Sequence, residues 1–111
     1  MPKLVWTSGS VRDLARLHDF LASVRPETAK AAVRAIRDGL NRLKAHPGMG
    51  RPVAGMPLEF RQWLIRFGKR GYIVLYRHGG DAIHILALRH ARERASRNPV
   101  GDTGGSQGET K

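Results

Sequence analysis

The chain has no cysteine, so it can build neither a disulfide framework nor a thiolate metal site. It has no apolar run near the ~20 residues that a membrane-spanning helix requires. Its first residues, MPKLVWT, lack the apolar stretch of a secretory signal. A soluble, cytoplasmic protein is expected. Also missing are a GxGxxG turn after a strand, a Walker loop and an HExxH helix, which removes the chemistries those motifs carry. No carboxylate pair stands out, because Glu59, Asp81 and Glu93 each fall at a strand end or turn. Cap and turn duty is their simplest reading. No cofactor and no metal are expected. Acidic residues are scarce overall: nine Asp and Glu face 20 Lys and Arg, a net charge of +11 with neutral histidines. Such an excess suits an acidic partner, whether nucleic acid, an acidic protein or an anionic membrane. The plain alternative is a basic surface with no partner.

The 111 residues suit one domain. The stretch 60–94 dominates it: FRQWLIRF, GKRG, YIVLYRH, GGD, then AIHILALRHARER. Apolar, β-branched and aromatic runs separated by short glycine-bearing breaks predict three antiparallel strands joined by hairpins. In the second run Tyr72, Val74 and Tyr76 point one way and Ile73 and Leu75 the other. In the third, Leu86 and Leu88 oppose Ile83, Ile85 and Ala87. A sheet wetted on one side alternates apolar with polar; these runs barely do. Both faces are therefore expected to be covered, one by the rest of the chain and one by a second protein.

Residues 3–7 read as a short strand, with Leu4 and Trp6 opposite Val5. Ser8 and Ser10 are candidate helix caps, and Ser10 with Asp13 resembles a capping box. Val11, Leu14, Leu17, Leu21 and Val24 form one helical face, ended by Pro26. A second helix is predicted at 27–44, with a stripe of Ala29, Ala32, Val33, Ile36, Leu40 and Leu43. Lys30, Arg34, Arg37, Arg42 and Lys44 take its other side and read as a solvated face. Gly39 interrupts this helix at a cost of ~1 kcal/mol. Residues 46–59, HPGMGRPVAGMPLE, form an ordered loop. The two helices make an antiparallel hairpin that returns the chain, so the first strand and the one at 60–67 should run antiparallel. The expected fold is α+β, β-α-α-β-β-β, an antiparallel sheet with a helical hairpin on one face. Residues 1–96 form the domain. Residues 97–111, poor in apolar side chains, form a disordered tail.

Cations crowd the strand region. Arg66, Lys69 and Arg70 surround the first hairpin, and Arg89, His90, Arg92 and Arg94 the end of the last strand. In a meander these groups converge on one end of the sheet. Arginine forks suit phosphate and carboxylate, so the site could take RNA or an acidic protein patch. His84 lies in an apolar setting and reads as a hydrogen-bonded sheet residue. His90 stands among arginines, which favour its neutral form, the form a general base needs.

Taken together, the element order, the run HPGMGRPV, the strand GYIVLYR and the ending IHILALRHARE resemble the RelE/ParE superfamily of toxins from type II toxin–antitoxin modules. The resemblance covers residues 3–94. It implies a small basic toxin, neutralised by an antitoxin that is acidic or partly disordered. RelE-like members cut mRNA on the ribosome. In that group an arginine commonly follows the GY of the strand, where this chain has Ile73. A late tyrosine would fall near Asn98. On the RelE reading Arg61, Lys69, His90 and Arg92 would be catalytic. ParE-like members lack that set and inhibit DNA gyrase, and Ile73 with the ending His90-Ala91-Arg92-Glu93 resembles that branch. The resemblance thus implies a non-enzymatic gyrase binder. Leu64, Arg66, Lys69, Arg70, Ile73, Leu75, Arg77 and Arg92 are expected to meet target or antitoxin. The alternatives are a ribosome-dependent endonuclease and a DNA-binding or accessory module without toxicity.

Overall fold

In the computed structural model, which describes residues 2–91, the chain runs β1 (Lys3–Trp6), α1 (Ser8–Val24), α2 (Pro26–Ala45), β2 (Arg51–Pro52), β3 (Phe60–Phe67), β4 (Arg70–Gly79) and β5 (Ala82–His90). Arg92, Arg94 and the tail expected at 97–111 lie outside the described residues. Two helices pack on one face of a five-stranded sheet of order β1-β5-β4-β3-β2. The α+β architecture with its helical hairpin is the one expected. The sheet is mixed, however. β1 pairs with β5 in parallel, while the remaining neighbours are antiparallel.

Because β3 also runs parallel to β5, β1 and β3 share a direction, against the expectation. The physical reason lies in the 46–59 loop. It contains β2, two residues antiparallel to β3, which reverses the chain once more after the helical hairpin has returned it. The two tight hairpins come out as expected. Phe67 pairs with Arg70 and Gly79 with Ala82, leaving two-residue turns. Gly68 (φ 62°) and Gly80 (φ 61°) take the first turn positions, where the turns that match strand twist need φ above zero.

The main core lies between helices and sheet. Leu17, Ala32, Ile36, Leu40 and Leu43 from the helices meet Ile65, Tyr72, Val74, Tyr76, Ile83, Ile85 and Leu88. The strict alternation expected along β5 fails at one place. A register shift leaves Leu75 opposite Ala87 but Tyr76 opposite Ile85. Leu86 is the extra residue of a β-bulge, and the bulge turns Leu88 to the same side as Ile83 and Ile85. Ala87 takes the other face.

The cap of helix α1 lies one residue before Ser8 and three before Ser10. Thr7 is the N-cap, its hydroxyl accepting from the Ser10 amide at 3.2 Å and donating to the Ile85 carbonyl at 2.6 Å. Asp13 does not close a capping box; its Oδ2 accepts from the Leu88 amide at 3.0 Å. β1 has ended by that point, so the carboxylate satisfies an amide on β5 that has no strand beside it. Leu14, Leu17 and Leu21 face the core, but Val11 and Val24 at the ends of the stripe stay exposed.

Gly39 is required where α2 crosses β3. A Cβ there would lie 2.8 Å from the Ile65 side chain. The glycine lets the helix approach the sheet, which offsets its poor helix propensity.

Candidate functional site

The outer face of the sheet, away from the helices, is only partly covered. Phe60, Gln62, Leu64 and Arg66 of β3 align with Arg77, Leu75, Ile73 and Gly71 of β4. On β5, Arg89 stands opposite Ile73 and Ala87 opposite Leu75. The 46–59 loop lies over the middle of this face. Its Val53, with Met56, packs on Leu75, Ala87, Phe60 and Leu86 to form a second, small core. Leu75 is thereby only 6% exposed. It therefore does not stand on an uncovered surface as the sequence suggested, because the protein supplies its own lid there.

Tyr76 and Arg61 hold that loop in place. From the inner side of the sheet the Tyr76 hydroxyl donates to the Pro47 carbonyl at 2.7 Å and accepts from the Gly50 amide at 3.1 Å. Arg61 Nη1 donates to the Gly50 carbonyl at 2.9 Å. A Cβ at Gly50 would fall 2.6 Å from the Tyr76 oxygen, so the HPGMG turn needs glycine at that point. Burial pushes the Tyr76 pKa up, while the Gly50 amide and the Arg61 charge pull against the rise. The hydroxyl stays protonated and keeps its donor.

Beyond the lid, toward the β3–β4 hairpin, the face is open. Leu64 is 38% exposed and Ile73 half-buried beside it. They floor a depression of about 620 Å³ lined also by Arg51, Gln62, Arg66 and Ala91. Arg89 adjoins Ile73 on the same face. Arg51, Arg66 and Arg89 make no ion pair with a described carboxylate; the ion pairs among the described residues are Arg16–Asp13 and His18–Asp19. An apolar floor in a cationic rim offers burial to an aliphatic side chain and charge-assisted hydrogen bonds to carboxylates or phosphates.

The register brings Arg89 and His90 to the end of the sheet that carries Arg66, Lys69 and Arg70; Arg92 and Arg94 of the second cation group lie outside the described residues. Ala91 donates its amide to the Gly71 carbonyl at 2.8 Å, which places the end of β5 beside the hairpin that carries Arg66, Lys69 and Arg70. Arg77 is elsewhere. It sits four strand positions from Ile73, about 13 Å, and its Nη2 donates to His84 Nδ1 at 3.2 Å. His84 is thus the hydrogen-bonded sheet residue its setting implied.

Among the described residues of the endonuclease alternative, Arg61 stands apart from His90. Arg61 pairs with Tyr76 and is occupied by Gly50. His90 pairs with Tyr72 and meets its ring edge-on at 5.4 Å between centroids. The same four-position spacing separates Arg61 from His90. Lys69, in the β3–β4 turn, shares the His90 end, and Arg92 lies outside the described residues. Sequence reasoning missed Arg51 as a rim residue and Val53 as a lid. Neither sits in a periodic run; the only local signal was an arginine directly after Gly50 in a Pro/Gly-rich loop.

The model of the family described as the ParE toxin of the type II toxin–antitoxin system, parDE, matches residues 4–95. Toxin RelE3 of Caulobacter vibrioides is 32% identical over 83 residues, covering 75% of this chain and 87% of that protein. The fold is similar to the solved chromosomal ParDE system from P. aeruginosa, with TM-score 0.66 and 22% identity over 83% of this chain and 98% of that one. It is also similar to the RelBE2 toxin–antitoxin complex from Mycobacterium tuberculosis, with TM-score 0.50 and 22% identity over 81% and 99% of the two chains. The chain belongs to the ParE toxin family of type II toxin–antitoxin systems, within the RelE/ParE superfamily.

Proposed function

We propose that this toxin inhibits growth by binding an essential target, DNA gyrase, and that a cognate antitoxin neutralises it in the cytoplasm. The observation that carries the proposal is the open strip of the sheet: Leu64 exposed and Ile73 half-buried beyond the lid, inside a rim of arginines that no described carboxylate neutralises. A partner segment with alternating aliphatic and acidic residues fits such a strip. A segment disordered on its own can wrap it while folding. The ParE likeness supplies gyrase as the target. The separation of Arg61 from His90 favours a binder over a nuclease.

The test is to add purified protein to a gyrase reaction and, separately, to a translation reaction. Accumulation of cleaved DNA with gyrase, with mRNA intact, is expected. Codon-phased mRNA cuts that disappear in His90→Ala or Arg92→Ala would establish the endonuclease instead.

A further inference from the structure

The outer face of α2 plays no part in the binding strip, which lies on the opposite side of the sheet. Lys30, Arg34, Arg37, Asn41 and Lys44 recur at alternating steps of four and three residues. At 3.6 residues per turn they fall within about 80° of arc and run about 21 Å along the helix. Lys30, Arg34, Arg37 and Asn41 are exposed and Lys44 half-buried. None of the four cations makes an ion pair with a described carboxylate. Glu27 and Asp38, the two acids of α2, lie to one side of the stripe. Lys30 with Arg34, and Arg34 with Arg37, are like charges four and three residues apart, a spacing that opposes helix formation. The large exposed apolar side chains, Val5, Val11, Phe20, Val24, Met49, Leu58 and Leu64, all lie outside α2.

We propose that this face of α2 is a second binding surface, whose ligand is the phosphate backbone of double-stranded DNA. A protein partner needs apolar anchors at the centre of its interface; the stripe itself has none, and the apolar depression that Arg37 and Asn41 share with Leu4, Trp6, Leu14 and Val33 runs along one edge of it. Single strands are held by stacking on aromatic rings, and the stripe has no aromatic residue. What it offers is a straight row of cations with one amide, which is what sequence-independent contact with duplex phosphates requires. The wide major groove of B-form DNA admits a helix, whereas that of A-form RNA is too narrow. The inference does not depend on gyrase being the target.

The test is fluorescence anisotropy of the full chain on a short labelled duplex of arbitrary sequence, across a salt series. Four phosphate contacts predict a log–log slope of about −3.6, a loss of roughly 150-fold in affinity between 50 and 200 mM salt. Arg34→Gln with Arg37→Gln should halve that slope, leaving a loss of roughly tenfold over the same range. Arg12→Gln with Arg25→Gln removes the same charge from exposed positions off the stripe and should leave the slope unchanged. Equal slope changes in the two double variants would overturn the proposal, since binding would then report net charge alone. So would tighter binding to polyglutamate or to the single strand than to the duplex, or no duplex binding at 50 mM salt.

Discussion

Gly39 shows how far a single residue can be misread from its neighbours. In sequence it is a helix defect worth ~1 kcal/mol. In the structure it is the contact between α2 and Ile65, where an added Cβ meets three side-chain carbons at 2.8–2.9 Å. Gly39→Ala should therefore destabilise the protein by about 1–3 kcal/mol despite its better propensity, read as a lower denaturation midpoint in urea. A more stable variant would contradict the close approach. Tyr76 is the second such case. Its burial was legible from strand parity, but its hydroxyl bonds to Pro47 and Gly50 were not, because they join residues 26 and 29 positions apart. Tyr76→Phe removes the partner of the buried Gly50 amide and of the part-buried Pro47 carbonyl and should cost about 1–3 kcal/mol. The Tyr76 pKa lies above the ordinary 10.0, so at alkaline pH the unfolded chain loses this proton first. Its contribution to stability is complete below pH 10 and shrinks as pH rises from there toward the folded pKa. Urea midpoints should fall above pH 10, and less steeply in Tyr76→Phe.

At the scale of elements, both helices and the three long strands were legible because their periodicities are strong. The failures cluster where periodicity ends. β2 has two residues inside a Pro/Gly loop and gives no pattern, yet it sets the direction of every strand after it. The Leu86 bulge inserts one residue and inverts the facing of Ala87 and Leu88, which no alternation rule foresees. The start of α1 was misplaced because Ser8, Ser10 and Thr7 are all competent caps; the choice is made by Ile85, which only the fold brings near. Thr7→Ala should cost about 1–2 kcal/mol, the upper part of the range for a lost cap, while Ser8→Ala should change the thermal midpoint little. The opposite order would place the cap at Ser8. The same limit applies to the site. Leu64 and Ile73 were legible as outward-facing, but the lid that removes Leu75 from that surface comes from Val53 and Met56 in the aperiodic loop.

For the whole molecule, whose sequence carries a net charge of +11, described cations gather on two surfaces on opposite sides of the sheet. One combines cations with an apolar floor, the other has cations alone. The two proposals rest on that difference in chemistry, a protein partner for the outer strip and a polyanion for the α2 face. The 46–59 loop covers the middle of the outer face, so of the surface expected to need a masking partner only the hairpin end is left open. The most direct measurement is inhibition of gyrase supercoiling by the wild-type chain and by Leu64→Glu, each first shown to have the same thermal midpoint. The account predicts inhibition by the wild type and a loss of at least about tenfold in potency for Leu64→Glu, as for a central contact residue. Equal potency of the two proteins, or no inhibition by either, would contradict it.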